Sequence, residues 1–247
     1  MVTVIIPAYN CAKYIEEAVR SVLTQTCHDF KVLIIEDAST DETLLLSRQI
    51  AAEDHRVFVM TNEYNLGVAR TRNKGIETVQ SEYVAFLDAD DRWLPEKLER
   101  QINFMNTQKL DLCYTAYRFI GEKGQIIRAP YYVSEQLTWK TLLRENIIGL
   151  SSVLMRTDII RNIRMRPEFA HEDYVFWLEL MQNGCQAGGI NTPLMQYRVS
   201  ASNRSGDKKK AAYNRWIIYR NFLNMGRIQA LWWFAQYGLN GIRKHFF

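Results

Sequence analysis

Residues 84–91 read Val84-Ala85-Phe86-Leu87-Asp88-Ala89-Asp90-Asp91, four apolar residues running directly into three carboxylates. Such an apolar run, bounded by polar residues, has the pattern of a buried strand. Three carboxylates at its end repel one another unless a cation sits among them. On an extended chain residues two apart point the same way, so Asp88 and Asp90 are expected to converge on one ion. A hard divalent cation, Mg²⁺ or Mn²⁺, holding the phosphates of a nucleotide suits such an all-oxygen site. The octapeptide therefore points to an enzyme.

Outward from it, strands and helices alternate. Residues 2–6 form an apolar strand stopped by Pro7, and Ile15, Ala18, Val19, Val22 and Leu23 place a helix over 11–26. Residues 31–36 make a second strand ending at Asp37, and Ser39 with Glu42 has capping-box spacing for the helix that follows. Strand 56–60, helix 66–79, strand 82–87, a helix opened near Pro95 and strand 111–117 come next. This order specifies an α/β fold, a mostly parallel Rossmann-like sheet with helices on both faces. Ligands of such sheets bind at the carboxyl ends of the strands, so Tyr9, Asp37, Asn65 and Asp88 are expected on one rim. Beyond residue 118 the pattern loosens to a turn at 121–124, a helix over 138–145, a strand at 152–155, a helix over 172–183 and short strands at 185–190 and 195–199. The expected division is 1–118, 119–206 and a helical tail over 207–247.

A length of 247 residues suits one large α/β domain with an appendage, and 47% hydrophobic residues are enough for a sizeable core. Cys11, Cys27, Cys113 and Cys185 form no CxxC pair and have no histidine at ligand spacing. They read as reduced, buried thiols, not as disulfides or a zinc site. The first ten residues, MVTVIIPAYN, lack the charged and long apolar regions of a signal peptide and read as the first strand. The net charge of +4 is unevenly spread: residues 208–247 hold eight basic and no acidic residues, leaving the body at −4. Trp216, Trp232 and Trp233 lie in the same tail. A basic, aromatic, helical segment points to an anionic membrane surface. Nucleic acid is disfavoured, because no recognised binding motif accompanies the charge. The apolar stretch 228–242 is broken by Gln229, Gln236 and Asn240 and is too short and polar to span a bilayer.

Five motifs stand in order: Ile6-Pro7-Ala8-Tyr9-Asn10, Glu36-Asp37-Ala38-Ser39-Thr40-Asp41, Asn65-Leu66-Gly67 leading to Arg72-Asn73, Asp88-Ala89-Asp90-Asp91, and Glu172-Asp173. Each alone is weak; the ordered series resembles the family 2 inverting glycosyltransferases with the GT-A fold, as found in bacterial polysaccharide, O-antigen and capsule synthesis. The resemblance covers residues 1 to about 205. It implies transfer of a hexose or N-acetylhexosamine from a UDP-sugar to a glycan acceptor carried on a lipid. It also implies Mn²⁺ or Mg²⁺ as cofactor and, with the basic tail, a peripheral place on the cytoplasmic face of the inner membrane.

By the same resemblance Pro7, Ala8, Tyr9, Asp37, Asn65, Arg72, Asp88 and Arg198 bind the nucleotide-sugar, Asp90 reaches the metal with Asp91 assisting, and Asp173 is the catalytic base. Glu172 and Trp177 are supporting or acceptor candidates. The residue types suit this chemistry. Breaking the bond to a diphosphate leaving group builds negative charge on phosphate oxygens, which a metal neutralises. A base accepts the proton of the attacking hydroxyl. Tyr9 suits a flat base but equally covers a sheet end, and Asp37 suits the imide N–H of uracil but equally a turn. Asp91 equally caps the next helix, Glu172 and Asp173 equally suit a helix N-terminus, and Trp177 equally packs in a core. Many family members carry a histidine two residues after the late arginine; here Ser200 stands there, leaving Arg198, Ser202 and Arg204 as phosphate candidates. His171 is a candidate acceptor contact. A phosphotransferase using Asp88 as nucleophile would want Thr or Val where Arg92 stands, and a dehydrogenase would need a glycine-rich first turn. A sugar-nucleotide-binding module without turnover is the remaining alternative, opposed by the presence of Asp90 and Asp173.

Overall fold

The structure, a computed structural model, describes residues 1–199 and 208–246. β1 (Val2–Ala8) takes parallel neighbours on both sides, β2 (Phe30–Glu36) and β4 (Tyr83–Phe86), and β3 (Val57–Thr61) continues the sheet beyond β2. All of β1 is buried, as a strand covered on both faces must be. Period-two alternation sorts the side chains into two cores. Ile5, Ile35, Val84 and Phe86 face α3 (Val68–Thr78), α5 (Trp139–Arg144) and α6 (Glu172–Gln182). Val4, Ile6, Ile34 and Leu87 face α1 (Ile15–Leu23), α2 (Thr43–Glu53) and α4 (Lys97–Gln108). Helices thus cover both faces, as the alternation predicts.

Past β4 the sheet turns mixed. β8 (Leu154–Arg156) lies antiparallel between β4 and β6 (Leu112–Ile120), β9 (Ala187–Arg198) runs parallel to β6, and β5 (Arg92–Trp93) closes the edge against β9. β7 (Ile126–Tyr131) pairs with β6 off this path. Neither β5 nor β7 is predicted by the sequence pattern, and the two short strands expected at 185–190 and 195–199 are one. Thr115 pairs with Ile190 and Ala116 with Pro193, so Asn191 and Thr192 bulge out and hide the continuity.

Pro7 does not end β1. Pairing with β4 stops at Ile5, whose carbonyl accepts from the Leu87 amide, so the N–H that Pro7 lacks would face a strand already finished. The expected capping box of α2 is also not formed. Ser39 Oγ accepts instead from the Asn10 amide (3.0 Å), and Asp41 takes the Thr43 amide (3.0 Å) and the Ala12 amide (3.1 Å). These bonds stitch the loops after β1 and β2 together. α3 lies close on the sheet because residue 75 is glycine: a Cβ there would sit 2.8 Å from Ile5 Cγ2.

The tail forms α7 (Lys208–Ile217), a π-helical turn (Ile218–Phe222) and α8 (Arg227–Phe246). Ile218, Tyr219, Met225, Ala230 and Trp233 are buried in the core shared with α5 and α6, so one face of the tail docks on the domain. The opposite face of α8 leaves Ile228, Leu231, Trp232 and Leu239 more than half exposed. No helix among the described residues is long and apolar enough to cross a membrane. All four cysteines are free thiols; Cys113 and Cys185 are buried, and Cys11 and Cys27 partly so.

Candidate active site

The carboxyl ends of β1 to β4 share one edge of the sheet, with Ala8 opposite Glu36 and Glu36 opposite Thr61. Tyr9 leaves β1 there with 49% of its surface exposed. Asp37, just past β2, is buried and already engaged. Its Oδ1 accepts from Asn62 Nδ2 (2.7 Å) and the Leu66 amide (2.8 Å), and its Oδ2 from the Gly67 amide (3.0 Å). A carboxylate has about four lone-pair sites, so one remains open on Oδ2. Asp37 thereby shapes the loop before α3, where Asn65 also holds the Gly67 amide and Gly67 takes a φ of 82°, a region that favours glycine. Pro7 and Ala8 are buried within the strand, and the Ala8 carbonyl accepts from the Asp37 amide (2.8 Å). A groove of about 470 Å³ opens beside this loop, lined by Gly67, Arg70, Pro167, Phe169 and Glu172 among others.

After Phe86 the chain is no longer extended. The Asp91 amide donates to the Asp88 carbonyl (3.0 Å), closing a turn in place of the continued strand on which convergence of Asp88 and Asp90 was expected. The turn sends Asp91 inward. It is 2% exposed, accepting from the Ser151 hydroxyl (2.6 Å) and the Arg198 amide (2.9 Å), while Ser151 Oγ accepts from the Asp88 amide (3.0 Å). Burial, then the charges of Asp90 and Asp88, push the Asp91 carboxyl well above its usual range. Asp91 is the internal anchor of the turn, neither a helix cap nor an open metal ligand. Ser151 was not singled out by sequence; its sole signal is a pair of serines set in an apolar run.

Asp90 is raised to about 6, by burial first and by Asp88 second. Among the described residues no cationic side chain pairs with it. A half-buried carboxylate of that kind is short of a positive charge. No group of three or more ligating side chains occurs among the described residues, so the protein offers Asp90, with Asp88 beside it, and little more. One or two carboxylates completed by substrate phosphates and water is how Mg²⁺ is commonly held. The residues present therefore fit a divalent cation bound together with a diphosphate.

Arg72 joins this turn to α6. It is 5% exposed, donating from Nη2 to Asp88 Oδ1 (2.6 Å) and from Nη1 to Glu172 Oε1 (2.9 Å). Asp173 follows Glu172 in the first turn of α6, and Asn146 Nδ2 donates to its Oδ2 (3.4 Å). Burial, then the adjacent Glu172 charge, raises the Asp173 carboxyl above the usual aspartate range, with Arg72 and His171 opposing. A carboxylate whose proton affinity is raised is a better general base. Asn146, the residue that orients it, carries no sequence signal beyond lying just after α5.

Two expected ligand contacts take other positions. Trp177 is 1% exposed and packed against Phe176 in the core, so it stacks on no sugar. Arg198 is 1% exposed; it donates to the carbonyls of Asp90 (2.7 Å), Gly121 (3.1 Å) and Glu122 (3.0 Å) and pairs with Glu17. It clamps the acidic turn to the start of α1, with its guanidinium buried. Ser200, Ser202 and Arg204 lie outside the described residues.

Comparison with known proteins gives the family and the fold. The family model described as Glycosyl transferase family 2 matches residues 3–164. The chain is 36% identical over 244 residues to the putative teichuronic acid biosynthesis glycosyltransferase TuaG of Bacillus subtilis strain 168, covering 99% of this chain and 97% of that one. It is 32% identical to the Escherichia coli UDP-Glc:alpha-D-GlcNAc-diphosphoundecaprenol beta-1,3-glucosyltransferase WfaP, over 100% of this chain and 96% of that one. Residues 1–349 of S. aureus TarS in complex with UDP-GlcNAc superpose with a TM-score of 0.75 at 20% identity, covering 96% of this chain and 71% of that one. The mannosyltransferase PcManGT from Pyrobaculum calidifontis, in complex with GDP-Man and Mn²⁺, superposes at 0.71 with 16% identity, covering 96% of this chain and 73% of that one. An acidic turn at the end of a parallel strand, a second acidic pair bound to it through one buried arginine, and matches of this extent lead to one assignment: the chain belongs to glycosyl transferase family 2 and has the GT-A fold.

Proposed function

We propose that the chain transfers a hexose or N-acetylhexosamine from a UDP-sugar to a lipid-linked glycan acceptor, with inversion, in a single displacement. The observation that carries this reading is the Asp88–Arg72–Glu172 bridge, which holds the acidic turn and the base Asp173 at one site. Residues 1–118 supply the donor side: Tyr9 lies against the uracil, Asp37 offers its open lone pair to the imide N–H, and Asn65 shapes the loop. Residues 119–206 supply the acceptor side, where Asp173 takes the proton of the attacking hydroxyl. Mn²⁺ or Mg²⁺, held by Asp90 with Asp88, neutralises charge on the departing diphosphate. The UDP-glucose donor and diphosphoundecaprenol-linked acceptor named for WfaP support the choice of substrates.

The lipid-linked acceptor places the enzyme at a membrane, on its cytoplasmic face. The docked tail does not oppose this, because the side of α8 turned from the domain keeps Ile228, Leu231, Trp232 and Leu239 exposed at helical spacing. Arg227 stands at the start of that stripe. Basic residues near anionic lipid add about 1 kcal/mol each. The test of activity is UDP release from a panel of UDP-sugars with Mn²⁺ and a GlcNAc-diphosphate lipid; no release above the acceptor-free rate with any donor refutes the reading. The test of membrane contact is sedimentation with anionic and neutral vesicles. Pelleting that ignores anionic lipid, or that survives Leu231→Glu with Trp232→Glu, removes α8 from the interface.

A further inference from the structure

We infer that the C-terminal tail positions the catalytic base, through Arg215 and Tyr219. This rests on the proposed role of Asp173. The starting point is α5, a six-residue helix whose last carbonyls have no intrahelical partner. Two of them are taken by tyrosine hydroxyls from different elements. Tyr174, next to Asp173 on α6, donates to the Leu142 carbonyl (3.0 Å), and Tyr219, in the π turn of the tail, donates to the Leu143 carbonyl (2.5 Å). Asn146, two residues past the end of α5, donates to Asp173. The base and the group that orients it thus hang on one short helix, pinned from one side by α6 and from the other by the tail.

Arg215 closes the arrangement. Its guanidinium lies on α7, 3.7 Å from the Tyr174 ring centroid and 4.8 Å from that of Tyr237 on α8. The side chain is 7% exposed and pairs with no carboxylate among the described residues. A cation held on aromatic faces away from water contributes more than an exposed one. It also carries a strict geometric demand, since any displacement leaves a buried charge without compensation. Tyr174, the buried residue adjoining the base, is therefore locked to the tail by Arg215. The composition of the tail favours a membrane element, with docking on the domain as the alternative. In the fold its inner face buttresses the catalytic centre.

The test uses the full chain and four variants: Tyr219→Phe, which removes one hydroxyl; Arg215→Met, which removes the charge at similar length; Arg215→Lys, which keeps a cation; and Asn146→Ala. UDP affinity, measured by calorimetry with Mn²⁺, should stay within about twofold of the parent, because the donor side is untouched. A misplaced base costs up to about 10²-fold for 1 Å, and a loosened one should lower kcat about tenfold in Tyr219→Phe and Arg215→Met. Losing the amide donor to Asp173 disfavours its charged form, so the acid limb of the kcat profile should move to higher pH in both variants, as in Asn146→Ala. Arg215→Lys should recover part of the rate. Combining Tyr219→Phe with Asn146→Ala should lower kcat no further than Asn146→Ala alone. Parental kcat and acid limb in Tyr219→Phe overturn the inference, and so does a loss of UDP affinity equal to the loss of kcat. Tyr219→Phe carries the test if Arg215→Met fails to fold. Asp173→Asn separates the two readings: if it keeps full activity the base assignment has failed, whereas if it is dead and Tyr219→Phe is parental only the role of the tail has failed.

Discussion

Lys97→Met should stabilise this protein near neutral pH. Lys97 is fully buried at the start of α4, its ammonium 3.8 Å from the Trp93 ring centroid, 2.7 Å from Gln101 Oε1 and 3.4 Å from the Val153 carbonyl. No carboxylate pairs with it among the described residues. Burial lowers its pKa from 10.5 to about 7. Its titratable neighbour, the Cys113 thiol, is pushed up to about 12 by burial and stays neutral throughout that range. Because the folded value is depressed, the unfolded chain binds the proton more tightly. Stability therefore rises with pH between about 7 and 10.5, and the whole penalty is present below the folded value. At about 1.4 kcal/mol for each tenfold in acidity, that penalty is on the order of 5 kcal/mol. Methionine matches the length of the chain but leaves Gln101 Oε1 without its donor, at about 1–3 kcal/mol, and ends a cation–π contact of about 2 kcal/mol or less. The net expectation is a gain of about 1–3 kcal/mol at pH 6.5 that shrinks as pH rises and reverses at about pH 8–10, where the unpaired Gln101 outlasts the charge penalty. Urea unfolding of both proteins at pH 6.5, 8 and 9.5 measures it. A variant less stable at pH 6.5, or a difference that does not change with pH, would show that the charged lysine is held favourably by Trp93 and refute the reasoning.

Three further outcomes are expected at the site. EDTA should abolish UDP release and Mn²⁺ or Mg²⁺ restore it, while Asp90→Ala stays folded and inactive; full activity in EDTA would remove the metal. Since the Asp173 carboxyl is raised, kcat should fall as pH drops through a value above the ordinary aspartate range of about 3.9, and Asp173→Asn should lose about 10²-fold or more with UDP binding retained. Arg72→Met should lower both UDP affinity and kcat and destabilise the fold by about 3–5 kcal/mol, as expected when one partner of a buried ion pair is removed; a melting temperature and donor affinity equal to the parent's would show that the bridge is incidental.

The parts of the fold that were legible are those where one face of an element decides its place. The strands around β1 read as continuous apolar runs because both faces are covered, and the helices of the first half show their buried stripes. What stayed hidden depends on pairing across distance. β5 is two residues long and exists through its bond to β9, and β9 is continuous through a bulge opposite Thr115 and Ala116. At the site the acids were legible because clustered carboxylates demand a partner. Asn146 and Ser151 were not, since one amide and one hydroxyl acquire meaning only when the chain brings them to Asp173 and Asp91. The tail shows both outcomes at once. Its apolar and basic composition was plain, but which of its aromatic residues face inward is settled by α5 and α6.

The arginines explain why a cation should settle at Asp90 and not elsewhere along the acidic cluster. Five carboxylates gather around the turn and α6: Asp88, Asp90, Asp91, Glu172 and Asp173. Arg72 offsets Asp88 and Glu172 together, and Arg198 pairs with Glu17 and donates to backbone carbonyls, one of them that of Asp90. Asp91 is satisfied by a hydroxyl and an amide. Asp173 receives the Asn146 side-chain amide and the Tyr174 backbone amide but no ion pair among the described residues, and burial keeps its proton affinity raised. Among the described residues Asp90 is the member of the cluster with neither an ion pair nor a neighbouring side-chain donor, and burial, then the Asp88 charge, raise its pKa to about 6 against the pull of Arg198 and Arg72. A divalent ion there would lower that value and add charge where a diphosphate must be held. The same ion placed at Asp88 alone would compete with Arg72 and loosen the link to α6. Replacing Arg72 should therefore weaken the discrimination between these two carboxylates: Arg72→Met is expected to let Mn²⁺ rescue part of the activity lost in Asp90→Ala, through Asp88. A double variant as inactive as Asp90→Ala at every Mn²⁺ concentration would show that Asp88 cannot serve as the primary ligand even when released.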